Sequence, residues 1–218
     1  MWFPLLLSFK VAVIATAVAL TLGLWLAWLL ANKNFRGKEW IDALITLPLV
    51  FPPTVLGYYL LVVLARSSPV GRVYESIFGQ SLVFTWQAAV LASTIHAIPL
   101  LVKSARAAFE NADPVYARAA RSLGASEWRL FQRVTLPLAR RSIVAAAVIA
   151  FARSLGDFGA TLMIAGDIPG RTQTAAIAIY DAVESGNTRM AGALTLLLSL
   201  VAMISVYASN RLEHRRAE

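Results

Sequence analysis

Arg153 and Asp157 stand four residues apart in IVAAAVIAFARSLGDFGATLMIAG, a stretch that is otherwise apolar or small. On a helix that spacing puts both side chains on one face, within reach of an ion pair. The chemistry open to such a pair is charge recognition: it can lock two helices together, or meet a passing anion, and the residues leave both readings open. A charge at mid-membrane depth costs about 2.5–3.5 kcal/mol on insertion scales, so the pair marks the interior of a bundle or an aqueous cavity. Ser154 adds a hydroxyl, and Gly156 and Gly159 are expected to let another helix approach closely. A second stretch, LITLPLVFPPTVLGYYLLVVLA, collects Pro48, Pro52, Pro53, Thr54 and Gly57. Each proline removes a backbone donor and frees a carbonyl that lipid cannot satisfy, so this backbone is expected to pack on protein or line a water-filled path. In a third stretch Ser93, Thr94, His96 and Pro99 gather, and His96 is expected to satisfy a neighbouring helix rather than bind a ligand.

Other chemistries are missing their parts. There is no cysteine, which excludes disulfides and thiolate chemistry, and two histidines, His96 and His214, are too few and too separated for a metal cluster. No nucleophile and base stand in a recognisable arrangement. The phosphate-cradling pattern G-x-x-x-x-G-K-[ST] is also missing; FRGKEW has Gly37 and Lys38 but neither the upstream glycine nor the following hydroxyl. Any energy from ATP is therefore expected from a partner.

The elements that position these groups follow from composition. With 58% hydrophobic and 15% charged residues, the chain has too little polar material to cover a soluble globule of 218 residues. A spanning helix needs about 20 mostly apolar residues. Runs at 11–31, 43–65, 82–102, 143–166 and 190–209 meet that need, giving an all-α membrane protein with five expected spans and one transmembrane domain over 1–218. The first run lacks a basic leader and is too long for a signal core, so it reads as a retained helix. Segments 32–42, 103–142 and 210–218 hold fourteen Lys and Arg, against four in the opposite segments (Arg66, Arg72, Arg171, Arg189). The positive-inside rule then places the N-terminus outside and the C-terminus in the cytoplasm. Between the last two runs, Ala175 to Tyr180 is too short to cross and is expected to form a short helix on the outer face or a re-entrant one.

The basic cytoplasmic stretch at about 113–137 has a helical pattern of its own. Asp113 and Pro114 suit a helix start. Tyr116, Ala119, Ala120 and Leu123 form one apolar stripe, with Arg118 and Arg121 off it. Gly124 suits a left-handed helix end before Ala125; Ser126 and Glu127 suit a second start; Trp128, Leu130 and Phe131, beside Arg129, give that helix a bulky surface, and Pro137 is expected to end the motif. A solvated loop needs no aromatic residues at helical spacing. A DNA-reading helix-turn-helix lacks a third helix for its core and polar base-reading residues beyond Arg129, Gln132 and Arg133. The remaining reading is a docking surface for a cytoplasmic protein, with aromatic anchors and an arginine rim.

RAARSLGASEWRLFQRVTLP resembles the cytoplasmic EAA loop of ATP-binding cassette (ABC) importer permeases. Ala119 and Ala120 fill the two alanines, Gly124 the glycine, Val134 the isoleucine, and Leu136 with Pro137 the ending, while Arg118 replaces the glutamate. LPLVFPPTVLGYYLLVVL and FARSLGDFGAT are similar to the molybdate and sulfate branch of these permeases, the former most to molybdate permeases. The resemblance covers about 9–211. It implies a type I ABC importer permease core with a cytoplasmic pair of coupling helices, placed in the bacterial plasma (inner) membrane. It also implies a homodimer, two cytoplasmic ATPase subunits that bind the ATP and Mg, and a periplasmic or extracellular protein that delivers the oxyanion. Tyr116, Arg118, Ala119, Ala120, Leu123, Gly124, Ala125, Trp128, Arg129, Phe131, Leu136 and Pro137 would then couple to the ATPase. Pro52, Pro53, Thr54, Gly57, Arg153, Ser154, Gly156 and Asp157 would line the route. No cofactor or metal is expected on this chain, and no nucleic acid as a partner; a membrane-anchored regulator holding DNA or anionic lipid is the remote alternative.

Overall fold

Residues of small side chain, alanines above all, set the spacing of the central helices, because only small residues let helices approach closely where lipid offers no hydrophobic drive. The computed structural model describes residues 2–111 and 114–214. All the regular elements among the described residues are helical: α1 (Trp2–Asn32), α2 (Lys38–Val50), α3 (Pro53–Leu64), α4 (Pro69–Phe78), α5 (Trp86–Glu110), α6 (Pro114–Ser122), α7 (Glu127–Leu130), a π-helical turn (Phe131–Thr135), α8 (Leu136–Leu155), α9 (Gly159–Ala165), α10 (Ala175–Glu184) and α11 (Thr188–His214).

The core orders the helices by direction. Leu7 and Val11 of α1 share a buried cluster with Ala88, Ala89 and Ala92 of α5. Ala27 and Leu30 share another with Val102, Ala105 and Phe109, so α1 and α5 run parallel. Midway, a Cβ on Gly23 would stand 3.2 Å from Leu101 Cβ, a close crossing that a larger residue would force apart. Helix α8 runs the other way, with Ala139 and Ile143 beside Phe109, and Ala146 and Ala150 beside Ala97 and Ala19. These relative directions are those the sidedness read from charge requires: with α1 and α5 descending into the cell, α8 ascends.

Four helical stretches are long and apolar enough to cross a membrane, at Trp2–Asn32, Trp86–Glu110, Glu127–Leu155 and Thr188–Tyr207. The expected second span, 43–65, is not a straight crossing. It breaks at Phe51 and Pro52, and α2 and α3 meet at 114°. The cause is local: Phe51 and Pro52 both take extended backbone, and a proline biases its predecessor away from helix. Pro48 stays inside α2. Near the cytoplasmic end of α5, Arg106 Nη1 reaches Asp42 Oδ2 at 3.2 Å and ties α2 to the bundle. The expected fourth span, 143–166, also departs from one helix. It starts earlier, is continuous from Glu127, stops at Leu155, and resumes as α9.

Two short helices lie at the outer ends. The segment expected near Ala175 to Tyr180 is α10, where Ala175 N–H donates to the buried Ser8 Oγ at 2.8 Å. The other is α4, capped by Ser68 Oγ accepting from Gly71 N–H at 2.9 Å and closed by Gly79 at φ +69.

Helices α3 and α9 run side by side through two glycines. A Cβ on Gly57 would stand 2.7 Å from Met163 Cβ and 2.9 Å from Ala160 Cα, and one on Gly159 would stand 3.1 Å from Pro53 Cβ. Gly156, expected to allow close approach too, does not: it is exposed at the end of α8, and a Cβ there would meet only carbonyl oxygens of its own helix at 4.0 Å. Gly57→Ala is therefore expected to cost about 1–3 kcal/mol by overpacking, while Gly156→Ala leaves stability nearly unchanged. Thermal unfolding of the two variants in detergent checks the contrast.

Candidate coupling surface and mid-membrane site

On the cytoplasmic side α6 ends in a closed Schellman turn. Ala125 N–H donates to Ala120 O and Gly124 N–H to Arg121 O, both at 3.0 Å, with Gly124 at φ +75. Nothing lies within 4 Å of a Cβ at Gly124, so its need for glycine is one of backbone conformation, not space. Ser126 then caps α7, its Oγ accepting from Arg129 N–H at 3.3 Å. Across the turn Arg121 Nε donates to Glu127 Oε1 at 2.9 Å and clamps α6 to α7. Asp113, the expected cap of α6, lies outside the described residues.

Pro137 does not end the motif. The chain passes from α7 into α8 through the π turn, in which Leu136 N–H donates to Phe131 O five residues back. A proline removes one backbone donor and crowds the carbonyl four residues before it, and a widened turn accommodates both. The coupling helix and the spanning helix are thereby one rod from Glu127 to Leu155.

The rod is seated by Phe131. Its ring meets Trp28 of α1 at 6.1 Å and Phe109 of α5 at 6.0 Å edge-on, and stacks on Trp128 at 5.8 Å. Leu130 is buried beneath. Trp128 is 64% exposed and Leu123 88% exposed, and Tyr116 and Val115 are exposed as well, so an apolar patch faces the cytoplasm among Arg118, Arg121 and Arg129. Beside it a cleft of about 650 Å³ runs between α6 and α8, lined by Tyr116, Arg133, Val134, Pro137, Leu138 and Arg140 together with Arg141. Ala119 is exposed, Ala120, Ala125 and Leu136 are half-buried, and Pro137 is exposed. Tyr116, Arg118, Leu123, Trp128 and Arg129 of the expected coupling residues are thus exposed on this side, whereas Phe131 packs inward on α1 and α5.

At the other end of the rod lies the charged pair. Asp157, just past the end of α8, is buried. Its Oδ1 is 3.4 Å from Arg153 Nη1, as expected, and 3.0 Å from Nδ1 of His96 on α5. Its Oδ2 accepts from Thr161 Oγ1 of α9 at 2.6 Å. One carboxylate therefore joins three helices where α8 breaks. His96 meets a neighbouring helix, as expected, but its partner was not foreseen. Thr161 carried a signal that went unread: it stands four residues after Asp157. Ser154 is buried, and its Oγ has no hydrogen-bond partner among the described residues. The α3–α9 seam brings Pro53, Thr54 and Gly57 to the same level through Gly159. Pro52, Pro53 and Thr54 are exposed on the outside of that seam.

This fold is that of a type I ABC importer permease: it superposes on a chain of an inward-facing methionine ABC transporter, MetNI, with a TM-score of 0.75 and 19% identity over 97% of this chain and 95% of that one. Residues 19–217 match the family of binding-protein-dependent transport system inner membrane components, and the chain belongs to that family. It is 43% identical over 210 residues to the molybdenum transport system permease protein ModB of Haemophilus influenzae, covering 96% of this chain and 92% of that protein. ModB of Escherichia coli strain K12 is 41% identical over 220 residues, covering 99% and 96%. The sulfate transport system permease protein CysT of the same strain is 29% identical, covering 95% and 76%. The chain is thus a multi-pass protein of the inner membrane.

Glu127 opens the rod at its cytoplasmic end, beside Arg121 of α6. Hydrogen bonding from Arg121 holds its carboxyl below the ordinary glutamate range, with the charges of Arg121 and Lys33 adding to it against a cost of burial. A carboxyl lowered on folding contributes stability in full above its ordinary pKa and loses it as pH falls through the lowered value. Hydrogen exchange of the α6 amides, corrected for intrinsic rate, is expected to quicken only on such acidification in the wild type, and at neutral pH already in Glu127→Gln.

Proposed function

We propose that this chain is the membrane-spanning subunit of an importer that moves molybdate across the plasma membrane, driven by ATP hydrolysis on a separate ATPase. The observation that carries the reading is identity of 41–43% with two molybdenum permeases along nearly the whole chain. The lower identity to the sulfate permease places sulfate second, and tungstate, an anion of the same shape and charge, remains with molybdate.

The chain works as a homodimer, with two cytoplasmic ATPase subunits below and a molybdate-binding protein delivering the anion from outside. It has no ATP site of its own; ATP and Mg sit on the ATPase, and this chain holds no cofactor. The exposed Trp128 and Leu123 with their arginine rim dock into the ATPase. When ATP closes the ATPase dimer, the rod from Glu127 to Leu155 carries the displacement to the break at Gly156, and the spans alternate between outward and inward opening. The anion passes the seam of α3 and α9 and the Arg153–Asp157 level. High affinity belongs to the delivery protein, because a tight site midway would slow release. The DNA-binding alternative loses ground because α7 has no free end to enter a groove: it runs into the spanning helix.

The test is ATP-dependent uptake of labelled molybdate by the complete importer in proteoliposomes, with sulfate as competitor. Uptake resisting a large excess of sulfate is expected; uptake that sulfate saturates while molybdate is ignored contradicts the substrate. Trp128→Ala and Gly124→Asp are each expected to cut ATPase copurification and uptake by tenfold or more.

A further inference from the structure

Asp157 has one oxygen for Thr161 and one for two nitrogen partners, and the two partners are not alike. His96 is buried, 3% exposed at its side chain, with Nδ1 3.0 Å away but off the line of a hydrogen bond; Arg153 is 37% exposed and 3.4 Å away. Both approach the same atom, Oδ1. A guanidinium a third exposed at this depth faces protein, water or a passing solute, since lipid is a poor solvent for it. Arg153 also has five donors and Asp157 engages it through one nitrogen, so its remaining donors match the oxygens of a tetrahedral dianion. If Arg153 turned to such an anion with no other group at Oδ1, a carboxylate inside the membrane would keep only one hydroxyl donor, and the exchange would be opposed.

We propose that His96 holds Asp157 through Nδ1 so that Arg153 can leave the carboxylate and contact the translocated oxyanion. His96 is a positioning residue: it touches Asp157 and not the anion. Arg153 is the contact, transient because Asp157 competes for it, which suits a site that must release its cargo. Asp157 meanwhile stays held by His96 from α5 and Thr161 from α9 while Arg153 moves. The proposal rests on the oxyanion-permease reading above.

The test uses the complete importer in proteoliposomes, with molybdate or, if the wild type carries it instead, sulfate. His96→Leu is expected to lower the maximal uptake rate at least tenfold at saturating loaded delivery protein, with the ATPase still copurifying. Adding Asp157→Asn is expected to recover a substantial part of that loss, since a neutral amide no longer needs the second donor. His96→Asn, which sets an amide nitrogen near the place of Nδ1, is expected to keep uptake within about threefold of wild type, and His96→Gln, which sets it near Nε2, to resemble His96→Leu. These two amides carry the test if the leucine variant fails to assemble. Wild-type uptake in His96→Leu, equal uptake in the two amides, or losses from His96→Leu and Asp157→Asn that simply multiply would each overturn the proposal. A wild-type importer that carries no oxyanion would overturn the function reading, and the proposal with it.

Discussion

A carboxylate inside a hydrocarbon slab has to be held from several sides at once. Asp157 is held by His96, Arg153 and Thr161, on three helices of which α5 lies far from α8 and α9 in sequence. Asp157 itself is buried, and breaking a buried pair costs about 3–5 kcal/mol. The carboxylate therefore fixes where α8 stops, how α9 starts and which turn of α5 stands beside them. The glycines at 57 and 159 then bring the proline-broken second stretch against that assembly.

The same rod that ends at this carboxylate begins at the cytoplasmic patch. Between Glu127 and Leu155 a single irregularity occurs, the π turn at Phe131–Thr135, and it keeps the helix unbroken past Pro137. Phe131, wedged against Trp28 and Phe109, gives the rod its seat on α1 and α5. In the proposed mechanism these are the pivot and the lever: motion imposed on Trp128 and its neighbours arrives at the Gly156 break with no flexible link between.

Local signals made the coupling end legible. Gly124 in left-handed conformation, Ser126 as a cap and the alternation of arginine with apolar residues all act within one or two turns, so a linear reading could find them. Pro137 misled because its usual effect is to stop a helix; the π turn that absorbs it is a register adjustment with no residue signature. The spans were legible from hydropathy, and their sidedness from Lys and Arg. The bend of 114° at Phe51 and Pro52 was legible as a break but not as an angle, because angles are set by what each half packs against. At the mid-membrane site, Arg153 and Asp157 were readable as an i,i+4 pair. His96 was not readable as their third member, since sixty residues of chain separate it from Asp157 and only the packing of α5 on α8 joins them. Gly156 and Gly159 were both assigned a packing role and only Gly159 has it: both are glycines near a charge, and only the fold tells which one faces a neighbour.

The account stands on the rod moving as one body about the Gly156 break. The chain has no cysteine, so paired spin labels can be placed without background. The most direct measurement is the distance between labels at Gln132 and Ile149, about 25 Å along one helix, and between Ile149 and Val183 across the break, in spin-diluted complete importer with and without ATP. The first distance is predicted to stay constant while the second changes by several ångström. A first distance that changes with ATP while the second holds would contradict the account.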